Sequence, residues 1–208
     1  MLYLISKLIK MENKKLSPEE SFAIINKAII NFKINYKEFA AIFLLWGWIL
    51  SFASFSNFFI LIFLRSKEAY NLMGTYSLGN WGVFMVIGFI IMFFMLRKID
   101  RNKKVYSHLE TYVNKLWQVA AVSFFIAVVI CVKLGIAPPP IMLLIAGLAT
   151  TTSGLLIKFK PMIIGGIAFF LFSIATTFIT NEYMALIVGV AIICGYLIPG
   201  YLLKSAKE

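Results

Sequence analysis

Residues 39–64 read FAAIFLLWGWILSFASFSNFFILIFL, with Lys37 and Glu38 before them and Arg65 after. No side chain within 39–64 carries a charge. At 1.5 Å rise per residue, roughly 20 apolar residues cross about 30 Å of hydrocarbon. The stretch is long enough to cross a bilayer, and five more approach or exceed the same length: 76–96, 113–132, 138–157, 161–180 and 183–203. Hydrocarbon offers no water to backbone groups, so spanning segments are helices or a closed barrel. The strict in–out alternation of barrel strands is absent. The predicted fold class is therefore all-α: a polytopic membrane bundle of six transmembrane helices within residues 39–208, preceded by a cytoplasmic N-terminal segment, 1–38.

Composition agrees. The chain has 208 residues, 61% apolar and 14% charged, whereas a soluble domain carries about 25% charged residues. The net charge of +11 would suit nucleic acid, but no recognition motif accompanies it, so no nucleic-acid partner is expected. Topology explains it instead. Lys7, Lys10, Lys14, Lys15, Lys27, Lys33 and Lys37 precede span one. Arg97, Lys98, Arg101, Lys103, Lys104 and Lys115 separate spans two and three. Lys158 and Lys160 separate four and five, and Lys204 and Lys207 follow six. The alternate gaps hold only Arg65, Lys67 and Lys133. Cationic loops stay on the cytoplasmic side, which predicts a bacterial inner (plasma) membrane protein with both termini cytoplasmic. Its cations face anionic headgroups, each contributing on the order of 1 kcal/mol. Residues 1–10 contain no signal-peptide cleavage site. They read as an upstream extension, with Met11 as the start, or as a short surface-seeking helix.

Ser17-Pro18-Glu19-Glu20 is a helix start, with Ser17 as cap and Glu20 at the capping-box position. Phe22, Ile25, Ile29, Phe32, Tyr36 and Phe39 follow on one helical stripe. Two readings stand: an amphipathic helix lying in the headgroup region, or a seam for a protein partner or a second copy. A second amphipathic helix is expected over 97–115. It contains the only histidine, His108, expected to be exposed or interfacial, and Glu110, expected with Asp100 to pair with nearby cations. Tyr112 and Trp117 suit the cytoplasmic aromatic belt, and Tyr76, Trp81 and Tyr183 the outer one. Trp46 and Trp48 lie deeper, where each indole N–H needs a partner. Residues 142–149 and 184–191 resemble one another, as do 154–157 and 195–198, which suggests three parallel helical hairpins. Pro199-Gly200 should disturb the last turn of span six, and Pro138-Pro-Pro140 should open span four.

No ionisable group is placed at the centre of a span, and no Walker, HExxH or GxSxG motif occurs. Cys131 and Cys194 fall at different depths and lack partners at metal-ligand spacing. No catalytic, cofactor-binding or metal-binding residue is expected, and the chain reads as non-enzymatic. Polar side chains nonetheless gather on helix faces. Ser51, Ser54 and Asn57 share one in span one; Thr151 lies in span four, Ser173 and Thr177 in span five, and Glu182 in the turn before span six. These seven form a candidate polar pathway. Equally, hydroxyls and small residues hold helices together in lipid.

LSPEES at 16–21, FLLWGW at 43–48, TYVNKLW at 111–117, LLIKFKPMIIGGI at 155–167 and YLIPGYLLK at 196–204 resemble a group of small uncharacterised six-span integral membrane proteins of Bacteroidota. The resemblance covers nearly the whole chain and implies no biochemical activity. Some members accompany genes for small transcriptional regulators. The three-hairpin layout is also loosely similar to an acid-resistance family of six-span membrane proteins. Two functions follow as expectations: a sensor, regulatory or interaction component, or a small transporter or channel for a neutral or weakly polar solute.

Overall fold

A computed structural model describes residues 17–102, 108–179 and 181–205, without the side chains of residues 18–38, 100, 102 and 108. The start-site expectation for residues 1–10, the facing of the stripe at Phe22, Ile25, Ile29, Phe32 and Tyr36, and the placement of Thr180 lie outside those described parts. Among the described residues every regular element is helical. In chain order they are α1 (Pro18–Ser66), a 3-10 turn (Tyr70–Leu72), α2 (Met73–Asn102), α3 (His108–Leu134), α4 (Pro139–Leu156), α5 (Lys160–Thr177), α6 (Tyr183–Ile192), a π-helical turn (Ile193–Leu197) and α7 (Ile198–Ser205). Six stretches have the length and composition to cross a membrane: Phe39–Ser66, Tyr70–Ile99, Leu109–Leu134, Pro139–Leu156, Lys160–Thr177 and Tyr183–Ser205. The fold is the expected all-α six-helix bundle.

The described part of the N-terminal segment and span one belong to one helix. α1 runs unbroken for 49 residues, because no Gly or Pro occurs between Pro18 and Gly47 and nothing interrupts the hydrogen-bond ladder. Unbroken helices bend only gently. Residues 18–38 therefore continue the helix of span one for about 31 Å at 1.5 Å per residue.

Span six is the axis of the bundle and span two its outlier: 56% of the apolar window of span six is buried, against 6% of span two. α1 packs on α2 at one side and on α6 and α7 at the other; α5 packs on α6, α7 and α4; α3 packs on α4. Consecutive spans within each expected hairpin do touch, but the most extensive contact joins α4 to α5, across the expected hairpin boundary. Glycine makes that contact possible. A Cβ on Gly166 would sit 2.1 Å from Thr151 Oγ1, and one on Gly154 would sit 2.8 Å from the Ile163 nitrogen. Small residues let helix backbones meet where lipid supplies no hydrophobic drive.

Three helix ends close alike. The Ala69 N–H donates to the Leu64 carbonyl (3.0 Å), Ile136 to Cys131 (3.0 Å) and Phe159 to Gly154 (2.9 Å). Each is the six-to-one bond of a Schellman cap, which needs a left-handed residue just before the donor. Those residues are Glu68 (φ 55°), Gly135 (φ 65°) and Lys158 (φ 56°). Only glycine adopts that conformation without cost. In thermal unfolding of the detergent-solubilised protein, Gly135→Ala should therefore destabilise by about 1 kcal/mol and Glu68→Gly stabilise by a similar amount. Equal melting temperatures for all three proteins would refute this account of the caps.

Candidate functional site

The seam between spans one and six is antiparallel and tight. A Cβ on Gly47 would meet Leu197 Cδ2 at 2.6 Å and Tyr196 Cβ at 3.3 Å; one on Gly200 would meet Leu44 Cδ2 at 3.0 Å, and one on Gly189 would meet Phe55 Cζ at 3.0 Å. Between them the Ser54 hydroxyl, fully buried, donates to the Ala185 carbonyl at 2.6 Å. Beyond the seam the Arg65 guanidinium pairs with the Glu182 carboxylate. That end, with Arg65, Lys67 and Glu182, is called the far end; the other, with Arg97, Lys158, Lys160 and Lys204, is the basic end.

Toward the basic end, span six widens into its π-turn, and Pro199 explains why. Proline has no N–H for the carbonyl four residues back, and its ring would collide with that carbonyl in an α-helix. Here the Ile198 N–H reaches back five residues to Ile193. The Gly195 carbonyl is turned against α5, 2.9 Å from where a Gly165 Cβ would stand, with Pro199 Cγ 2.6 Å from the same point. Pro199-Gly200 therefore does not break the helix, which continues to Ser205. The disturbance falls one turn earlier, as a bulge of the kind often found at functional positions.

The bulge carries Tyr196 into a buried aromatic node. Its ring meets Phe169 (centroids 4.8 Å apart), Phe43 (5.5 Å) and Trp117 (6.2 Å). Phe43 also meets Trp117 edge-on at 5.5 Å, so spans one, three, five and six converge there. Span four joins through Ser153, whose Oγ accepts from Trp117 Nε1 at 3.1 Å and donates to the Ala149 carbonyl at 2.7 Å. Trp117 is thus tied into the bundle through both its ring and its N–H. Trp81 likewise packs against the buried apolar cluster, while Tyr76, Tyr112 and Tyr183 remain exposed. Glu110 is buried at the start of α3, at 6% exposure.

The seven polar candidates divide. Ser54 binds span six, and Ser173 donates to the Pro140 carbonyl of span four at 2.7 Å. Thr177 is exposed and bonds back to Ile174 of its own helix. Glu182 is held by Arg65. Ser51 and Asn57 are buried on span one, with Ser51 Oγ and Asn57 Oδ1 lacking a hydrogen-bond partner; Thr151, against Gly166 of span five, lacks one at Oγ1. The structure places three of the seven candidates as fasteners between elements and leaves three with an unengaged polar atom.

Other polar contacts were not singled out by sequence reasoning. Asn80 Nδ2 donates to the Ala53 carbonyl (2.8 Å), and the Ser56 hydroxyl donates to Asn80 Oδ1 (2.6 Å). With Trp46 Nε1 donating to Met92 Sδ (3.2 Å), these bonds attach the outlying span two. The available signal was a lone amide inside the apolar stretch 76–96. Trp48 Nε1 donates to the Tyr201 hydroxyl at 3.1 Å, so both deep indoles of span one have partners. Among the described residues no three His, Cys, Asp or Glu side chains assemble as a metal site. No protein family, curated protein or solved structure matches the chain.

Two outcomes follow. Asn80→Ala removes two interhelical bonds and should cost on the order of 1 kcal/mol, read as a lower melting temperature together with freer exchange of a spin label on span two. An unchanged label spectrum would show that span two is held otherwise. The Glu182 carboxyl lies below its ordinary value of 4.5, chiefly through a backbone hydrogen bond at Glu182 itself and then through Arg65, with desolvation opposing. Its stabilisation is complete above that value and is lost as pH falls through the lower folded value. Melting temperature should decline on acidification below about pH 4.5, and Glu182→Gln should flatten that part of the profile.

Proposed function

We propose that this chain is a multi-pass protein of the bacterial inner membrane, with both termini cytoplasmic, acting as a non-enzymatic sensor, regulatory or interaction component. The membrane placement rests on the apolar stretches, and the orientation on seventeen of 20 cations lying in the gaps assigned to one side. The likeness to six-span proteins of Bacteroidota belongs to the same proposal.

One observation carries the interaction role. The segment bearing the apolar stripe is the same unbroken helix that forms span one. A protein partner or second copy gripping residues 18–38 grips a rod whose other half lies against span six at Gly47 and Ser54. Tilt or rotation of that rod acts directly on the seam, and through Phe43 on the aromatic node. Binding outside the bilayer then biases packing inside it, which is how a membrane sensor or regulator works.

Co-purification and chemical cross-linking of the full chain in detergent should recover a defined partner or dimer. Replacing Ile25, Ile29 and Phe32 together by Ser should abolish it without changing the melting temperature. Recovery of lipid alone by both proteins would overturn this role. The second reading, a small transporter or channel, draws on the unengaged polar atoms of Ser51, Asn57 and Thr151. It requires solute flux into liposomes that Ser51→Ala and Asn57→Leu reduce.

A further inference from the structure

Pro199 leaves span six with more carbonyl groups than N–H groups to serve them. In an α-helix the Cys194 carbonyl accepts from residue 198, and in a π-helix from residue 199. The Ile198 N–H goes instead to Ile193, and residue 199 is proline, which has no N–H. Leu197, the remaining neighbour along the chain, lies in the π-turn, where N–H groups reach five residues back. The Cys194 carbonyl therefore has no donor within its own helix. The Gly195 carbonyl loses its α-helical donor to the same proline, which leaves only the Gly200 N–H for it.

Among the described residues, neighbouring helices do not make up the difference. Where α5 and α1 touch this turn they present Gly165, Phe169 and Gly47, none with a side-chain donor. Donors elsewhere on those two helices are directed away: Trp48 to Tyr201, Ser54 to Ala185 and Ser173 to Pro140. Ser51, one turn from Gly47, is buried, and its hydroxyl oxygen has no hydrogen-bond partner. Tyr196 turns into the aromatic node. The Gly195 carbonyl is turned against Gly165, where only a C–H can meet it. Cys194 is half-buried and lies midway along Tyr183–Ser205. At that depth an unmet polar group is most costly.

We propose that the Cys194 carbonyl, with that of Gly195 beside it, is a binding position for a small O–H donor: water, or the hydroxyl of a molecule dissolved in the bilayer. Each carbonyl oxygen has two lone pairs, so Gly195 can accept a further bond on the side away from Gly165. Because the site exists only while the turn is π-helical, its occupant stabilises the turn that carries Tyr196. This assignment needs span six to cross a bilayer. It does not depend on the partner role of residues 18–38.

The chain has two cysteines, and the Cys131 carbonyl accepts from the Ile136 N–H at 3.0 Å. Cysteine labelled with carbon-13 at the carbonyl therefore supplies a test signal and an internal control, assigned with Cys131→Ala. The labelled full chain is placed in vesicles of phosphatidylcholine, whose headgroup has no O–H, and flotation with the vesicles is checked before solid-state NMR. Magnetisation from water protons should reach the Cys194 carbonyl several times faster than that of Cys131. If water does not reach it, octanol added to the vesicles should shift the Cys194 signal alone, which assigns the site to a membrane-dissolved hydroxyl. Pro199→Ala supplies the missing N–H and should cancel either response while the Cys131 signal stays in place. The comparison of the two carbonyls within the wild type stands without that variant. Absence of both responses at Cys194, or a response undiminished in a folded Pro199→Ala protein, would overturn the proposal. Failure to float would overturn the membrane placement, and the site with it.

Discussion

Close backbone approach is the constraint on which this bundle depends. Inside lipid, apolar side chains gain nothing by leaving one hydrocarbon neighbour for another, so cohesion comes from van der Waals fit and a few hydrogen bonds. Fit of this kind needs residues with nothing to get in the way. Gly154 and Gly166 bring span four onto span five, Gly165 and Gly195 bring five onto six, and Gly47 and Gly200 bring six onto one. At Gly195 a methyl group would fall 2.1 Å from a carbon of Phe169, which has no exposed surface. The order of helices around the bundle follows from these contacts. The aromatic node then closes it at one end, since Trp117 is the point where span three reaches Phe43 of span one.

Pro199 and the glycines act together. The proline forces a wide turn, the wide turn presents the Gly195 carbonyl and Tyr196 sideways, and Gly165 clears the space to receive them. Local strain is thereby converted into interhelical contact. The same turn carries the aromatic ring that most elements of the bundle share. Any movement of span six about its bulge is felt at once by Phe43, Trp117 and Phe169.

Most of the architecture was legible in the sequence, because hydrocarbon thickness dictates length and the apolar stretches are unbroken. Observed span limits fall within a few residues of 39–64 and 183–203, at Phe39–Ser66 and Tyr183–Ser205. Properties that depend on which face meets which neighbour were not legible. Trp117 reads as a belt residue, and nothing in its own stretch reveals that it packs on Phe43 and Tyr196. Asn80 carries no periodic signal, since one amide on an exposed helix looks alike whether it faces lipid or Ser56. The seven polar candidates shared helix faces as read, but a shared face does not reveal whether a hydroxyl ends on a neighbour's carbonyl, as Ser54 does, or ends on nothing, as Ser51 does.

The bond from Ser54 to Ala185 joins positions 131 residues apart. A ribosome adding about 5–20 residues per second needs on the order of ten seconds to supply the second after the first. Through that interval the first span lacks the neighbour that Ser54 and Gly47 meet in the finished bundle. Its proper neighbour is the last to be made. The seam between the first and last spans therefore closes only after the chain's final crossing has been made.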